Sequence, residues 1–196
     1  MTTNPLLIFI AAFIVNNIIL IRYLGLCPFF GVSTTLTTAF GMSTACLFVM
    51  LIATWVTWTI YHFLLLPLDL IFLRTAVFIL IIATLVQFVE IFLKKNFKAL
   101  YSAMGIYLPL ITTNCAILAV TFLAIDYRFS LILATIFALG NALGFGLVIV
   151  LFSAIRERLE FAPLSRSFKG YPIAFIAASL VALAFLGFIG LFGLPL

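Results

Sequence analysis

The chain has 196 residues, of which 67% are hydrophobic and only 8% charged, and its mean hydropathy is +1.43. So little charge excludes a soluble domain and fits an integral membrane protein. The net charge of +5 is spread over the loops rather than gathered in a patch. It therefore reports membrane orientation and argues against nucleic acid as a partner.

A membrane-crossing helix needs about 20 apolar residues. Six runs meet that need, at about Pro5–Leu24, Thr38–Ile60, Leu73–Leu93, Leu100–Ala124, Ser130–Ile155 and Tyr171–Phe192. Almost nothing is left for a soluble part. The expectation is an all-α protein forming a single membrane domain over residues 1–196, with the lipid bilayer as its surroundings. No basic residue precedes the first run, so that run reads as a retained span and not as a cleaved signal.

In the first span, Asn16 and Asn17 place two amides in the middle of an apolar helix. Amides in hydrocarbon need partners, so both should face the protein interior. The span then reaches Gly25-Leu26-Cys27-Pro28-Phe29. Proline disfavours a helical conformation for the residue before it and lacks a backbone donor. The first helix is therefore expected to break or end at Cys27. The second span carries Gly41-x-x-x-Ala45 and Cys46, which sits among ordinary helix residues and reads as a small packing side chain. His62, near that span's outer end, reads as interfacial. The third span ends at Glu90, an i,i+4 partner for Lys94. The fourth contains Pro109-Leu110-Ile111-Thr112-Thr113-Asn114-Cys115-Ala116. Its proline should interrupt the helix, and its Thr and Asn side chains can cap the freed backbone groups. Asp126 falls in the loop that follows, where solvent accounts for it. The fifth span carries Gly140-x-x-x-Gly144.

With six spans the odd-numbered loops share one side. They hold Lys94, Lys95, Lys98, Arg156, Arg158, Arg166 and Lys169, and Arg22 is grouped with them near the end of the first span. The other side holds Arg74 and Arg128. The positive-inside rule puts the first group in the cytoplasm and both termini in the periplasm or outside.

The two halves, about 1–98 and 99–196, show the same order of features. Cys27 matches Cys115, Gly41-x-x-x-Ala45 matches Gly140-x-x-x-Gly144, and Leu66-Pro67-Leu68 matches Ala162-Pro163-Leu164. Three spans per half force the second half upside down relative to the first. The result is a three-plus-three inverted repeat with interrupted helices 1 and 4, whose related sites lie at the repeat interface.

Bilayers tolerate irregular backbone only where protein or a cavity surrounds it. Two such breaks, each carrying a thiol, point to a metal or redox centre inside the membrane. Unbroken helices would leave Cys27 and Cys115 near opposite faces, so at least one span must be interrupted for them to meet. Two thiolates are also too few: iron–sulfur clusters and structural zinc each take four ligands as a rule. Any metal would need ligands from a second polypeptide. A small inverted-repeat secondary transporter is the alternative reading, and a purely structural role within a larger assembly is a third. Neither requires cysteine at the breaks.

Several segments carry a resemblance. Val15-Asn16-Asn17 through Leu24-Gly25-Leu26-Cys27-Pro28-Phe29, Leu108-Pro109 through Cys115-Ala116, Val86-Gln87-Phe88-Val89-Glu90 and Ala154-Ile155-Arg156-Glu157-Arg158-Leu159 resemble the A subunit of the bacterial Rnf (Rsx) electron-transport complex. The related subunit of the sodium-pumping NADH:quinone reductase is a more distant match. The resemblance implies a six-helix inverted repeat in the bacterial inner membrane, paired with a homologous E subunit of opposite orientation. It implies that Cys27 and Cys115 ligate the iron of an intramembrane [2Fe-2S] cluster completed by two cysteines of that partner. The B, C, D and G subunits would be the other partners. The complex would move electrons between ferredoxin and NAD and couple this to sodium or proton transport. One departure is Ser33-Thr34-Thr35, where relatives often carry lysines.

Overall fold

The computed structural model describes residues 4–67, 71–96, 114–161, 163 and 168–187. All the regular elements among them are helices. Helix α1 is Pro5–Ile10, with proline in its first turn, where the missing N–H costs nothing. It runs on as a π-helical turn, Ala11–Val15. The chain leaves the helical path until α2, Leu26–Val32. Helix α3, Leu36–Ile60, also ends in a π-turn, Tyr61–Leu65. A 3-10 turn at Ile71–Leu73 leads into α4, Arg74–Asn96. Then come α5, Cys115–Asp126, α6, Leu131–Glu160, and α7, Tyr171–Leu186.

Three of these are long and apolar enough to cross a bilayer: Leu36–Leu65, Arg74–Ile91 and Leu131–Glu160. They match the expected second, third and fifth spans, and α7 lies within the sixth. The first part of the expected fourth span, with Pro109, Thr112 and Thr113, lies outside the described residues.

The first span differs from expectation. Its helix does not end at Cys27; it ends at Val15 and resumes at Leu26. The reason is local. Pro28 stands in the first turn of α2, a position where proline costs no hydrogen bond, so it starts a half-helix instead of stopping one. The break is made earlier, where Tyr23 (φ +56°) and Gly25 (φ +86°) both turn left-handed.

Helices α3 and α6 form the centre and run antiparallel. Ser43 abuts Gly146, Trp55 Nε1 donates to Thr135 Oγ1, and Trp58 Nε1 donates to the Phe129 carbonyl. Met42, Cys46, Met50, Phe145, Ile149 and Phe152 are fully buried between them and their neighbours. Small residues set the closest approach. A Cβ on Gly144 would stand 2.6 Å from the Phe13 carbonyl oxygen, and one on Gly140 would stand 3.0 Å from that of Phe9. The small-residue stripe of α6 is thus the seat of α1.

Several further contacts join early and late parts of the chain. Helix α1 lies parallel to α6, since Phe9 and Phe13 meet Gly140 and Gly144 in ascending order. Helix α5 lies parallel to α3, with Asn114 beside Cys46 and Phe129 beside Trp58. Helix α4 packs on α5 through Phe78 and Phe122, and α7 packs on α2 through Phe175 and Phe30. Thus α4 packs on the helix that Cys115 begins, and α7 on the helix that carries Cys27.

Candidate functional site at the interrupted helices

The non-helical stretch 16–25 is pinned from both ends. Asn17 is 1% exposed; its Nδ2 donates to the Gly144 carbonyl at 2.9 Å, and its Oδ1 accepts the Ile19 N–H at 3.1 Å. The interior setting expected for this amide is what the structure shows. It stitches the end of the π-turn to α6 and satisfies backbone that the break has freed.

Beyond it, the chain doubles back. Arg22 Nε donates to Asn16 Oδ1 at 3.3 Å, and its Nη2 donates to the Tyr127 hydroxyl at 3.0 Å. Tyr127 directly follows α5, on the same end as Asp126. There Arg74 forms an ion pair with Asp126 at 2.7 Å and lies over the Phe122 ring. Arg22 therefore belongs with Arg74 and Arg128, not with the basic loops at the other end. Its place in the sequence misleads because the segment reverses direction. Lys94, Lys95, Arg156, Arg158 and Lys169 still mark the opposite end, so the asymmetry survives in reduced form. At that end Arg156 Nη1 donates to the Phe30 carbonyl at 2.8 Å and to Ser33 Oγ at 2.9 Å, closing the last turn of α2.

The break brings the two cysteine motifs together. The Gly25 N–H donates to Cys115 Sγ at 3.0 Å, two residues ahead of Cys27. Interruption of the first span removes the separation that unbroken helices would impose. Gly25 is required here twice over: its φ is left-handed, and an added Cβ would stand 3.0 Å from Phe145 Cε2 and 3.1 Å from Ala116 Cβ. Cys115 is the first residue of α5 and Cys27 the second of α2. Cys115 is half-buried, and Cys27 is exposed on the surface of the single chain.

Asn114 organises the second motif. It is the N-cap of α5, and its Oδ1 accepts the Ala116 N–H at 3.0 Å, as its residue type leads one to expect. Its Nδ2 donates to Cys46 Sγ at 3.5 Å, a geometry within reach of the larger sulfur atom. Cys46 is a buried packing residue, as its surroundings in the sequence indicate, but it also fixes the amide beside Cys115. That contact is invisible to sequence reading, because 68 positions separate the pair. Among the described residues no three His, Cys, Asp or Glu side chains group as a metal site. Cys27 and Cys115, with a backbone N–H already aimed at one sulfur, have the chemistry of half a thiolate-ligated iron–sulfur site.

A bundle of apolar helices with an interrupted first span, whose break brings one cysteine motif against the other, defines an integral membrane protein class. A family model described as "Rnf-Nqr subunit, membrane protein" matches residues 6–192, and the chain belongs to that family. It is 50% identical over 188 residues to the A subunit of the ion-translocating oxidoreductase complex of Syntrophotalea carbinolica, a match covering 96% of this chain and 97% of the relative. Proteins of the same description from Cronobacter sakazakii, at 50%, and Photorhabdus laumondii, at 51%, are matched over 189 residues, which is 96% of this chain and 98% of each relative.

Proposed function

We propose that the chain is the A component of an ion-translocating oxidoreductase complex and relays electrons across the bacterial inner membrane. Cys27 and Cys115 would hold one side of a [2Fe-2S] cluster, and two thiolates from a homologous E subunit of opposite orientation would hold the other. The observation that carries this reading is the contact between the Gly25 N–H and Cys115 Sγ. It draws two motifs 90 positions apart into one site within an apolar bundle.

When bound, the cluster supplies one-electron transfer: each electron taken from a donor on one side is given to an acceptor on the other. The chain's own residues do the rest. The Gly25 N–H donates to sulfur, and such bonds stabilise thiolate charge and tune the potential of a cluster. Asn114 and Cys46 hold the first turn of α5, so Cys115 cannot drift from Gly25. The apolar walls, including Phe145, exclude water. Exposure of Cys27 on the single chain fits a site completed by a neighbour.

The reciprocal packing of the two halves supports a three-plus-three inverted repeat. The basic ends of α4 and α6 support a cytoplasmic placement for that side, with both termini periplasmic. The complex would couple electron flow between ferredoxin and NAD to sodium or proton movement, with the B, C, D and G subunits as further partners. The test is the purified complex carrying Cys27→Ser or Cys115→Ser. The iron spectrum of the paired A and E subunits should disappear while both still insert; an unchanged spectrum refutes the ligand assignment.

A further inference from the structure

The end of the bundle away from Tyr127 holds a cavity that the electron relay does not use. It has a volume of about 520 Å³ and lies where the ends of α2 and α6 meet the starts of α3 and α7. Two cations line it, Arg156 and Lys169, with Thr34 beside them. One carboxylate, Glu160, lies in the same wall, and Leu159 and Ile173 supply an apolar part. Both hydrogen bonds of Arg156 use Nη1 and go to neutral oxygens, the Phe30 carbonyl and Ser33 Oγ. Among the described residues the ion pair is Arg74 with Asp126, at the opposite end. Glu160 therefore pairs with neither cation, and two positive charges against one negative leave the cavity net positive.

The cavity stands at headgroup depth. Helix α6 has 30 residues, which span about 45 Å at about 1.5 Å per residue, whereas the hydrocarbon core of a bilayer is about 30 Å thick. Its charged end, from Arg156 to Glu160, thus reaches the polar layer. Tyr171, exposed at the start of α7, is a side chain that favours the same level. From the cavity an apolar track leads back towards the hydrocarbon. Ile173, Ile176, Leu180 and Leu183 follow at steps of three or four residues and so share one face of α7. The last three are exposed. A positive cup at headgroup depth that opens onto an outward-facing apolar track suits a phospholipid, with its phosphate in the cup and an acyl chain along the helix. A soluble anion would use the cup and leave the track bare.

We infer that this cavity binds the headgroup phosphate of an anionic phospholipid such as phosphatidylglycerol, taken from the leaflet on the basic side. The inference stands apart from the relay reading. Lys169 and the rest of the Arg156 guanidinium supply charged donors, and the Thr34 hydroxyl supplies a neutral one. Glu160 opposes a second negative charge, which favours a phosphodiester over a phosphate monoester. A lipid held there ties the start of α7 to the end of α6.

The experiment places the assembled complex in phosphatidylcholine nanodiscs that carry a small fraction of phosphatidylglycerol with a photoreactive group near the headgroup. Cross-linked peptides are mapped by mass spectrometry. The label should fall on the end of α6 and the start of α7, and phosphatidylcholine bearing the same group should label them less. Lys169→Gln should cut the labelling about fivefold, the worth of one basic residue near an anionic lipid. Lys169→Arg should keep it, and Glu160→Gln should raise it. Lys169 and Glu160 are both exposed, so neither substitution should disturb the fold; Arg156 is left in place because it also closes α2. Labelling that Lys169→Gln leaves unchanged overturns the inference, as does its absence from these segments in the wild-type complex, which marks a protein neighbour over the cavity. Equal labelling by phosphatidylcholine overturns it too and marks ordinary surrounding lipid. Loss of the label on adding inorganic phosphate does the same, with a soluble anion as the occupant.

Discussion

Two regions of this molecule use the same apolar alphabet in opposite ways. Helices α4 and α7 are uninterrupted, and much of their surface is open on the isolated chain: Leu80 and Phe88 are each 70% exposed, and Leu180 and Leu183 are 61% and 62% exposed. A bilayer covers such a surface, and lipid tails make few demands on side-chain shape. The stretch 16–25 is irregular, and both it and the start of α5 are largely buried. There the buried amides of Asn17 and Asn114 have named partners, and Gly25 and Gly144 stand where any larger residue collides. The contrast teaches that the membrane supplies most of the pressure for helix formation, whereas the site depends on a few specific contacts.

That contrast can be broken by substitution. The largest effect is expected for Gly144→Val, because a Cβ there would meet the Phe13 carbonyl oxygen at 2.6 Å. Prising α1 off α6 should cost about 3 kcal/mol, the upper range for overpacking a tight contact, read as a lower thermal unfolding midpoint in detergent. Asn17→Ala comes next. It leaves the Ile19 N–H without its acceptor and removes the tie to the Gly144 carbonyl, and one unmet buried donor plus a lost buried bond put the loss at about 2 kcal/mol. Asn114→Ala removes the cap of α5 and should cost about 1 kcal/mol, again measured by unfolding. Asp126→Asn is a smaller perturbation. The Asp126 side chain is 50% exposed, so solvent screening holds the loss to about 0.5 kcal/mol or less. Leu183→Val on the lipid-facing side should fall within about 0.5 kcal/mol of wild type. Equal losses for Leu183→Val and Gly144→Val would erase the distinction between the two regions.

The long helices are legible in the sequence because twenty-residue apolar runs leave few alternatives. The cysteine motifs are legible because thiols, prolines and capping residues are conspicuous in hydrocarbon. The position of the first break is not. Pro28 draws attention to Cys27, but a proline in a first turn starts a helix as readily as it ends one, and the left-handed turns at Tyr23 and Gly25 decide the matter. The same cause puts Arg22 at the wrong end: counting along a span presumes the chain keeps its direction. The tie between Asn114 and Cys46 and the pairing of Arg74 with Asp126 join distant positions, and no local pattern announces them. The meeting of Gly25 with Cys115 is the reverse case, since the sequence poses the need for an interruption and the fold meets it.

The central claim is that both cysteine motifs share one intramembrane site and that iron is held there. The most direct measurement is an experimental density map of the assembled complex at the Gly25–Cys115 contact. The expected result is Cys115 Sγ within hydrogen-bonding distance of the Gly25 N–H, with inorganic density linking Cys27 and Cys115 to two thiolates of the adjoining protein. Well-separated sulfurs, or protein and lipid density alone between them, would contradict it.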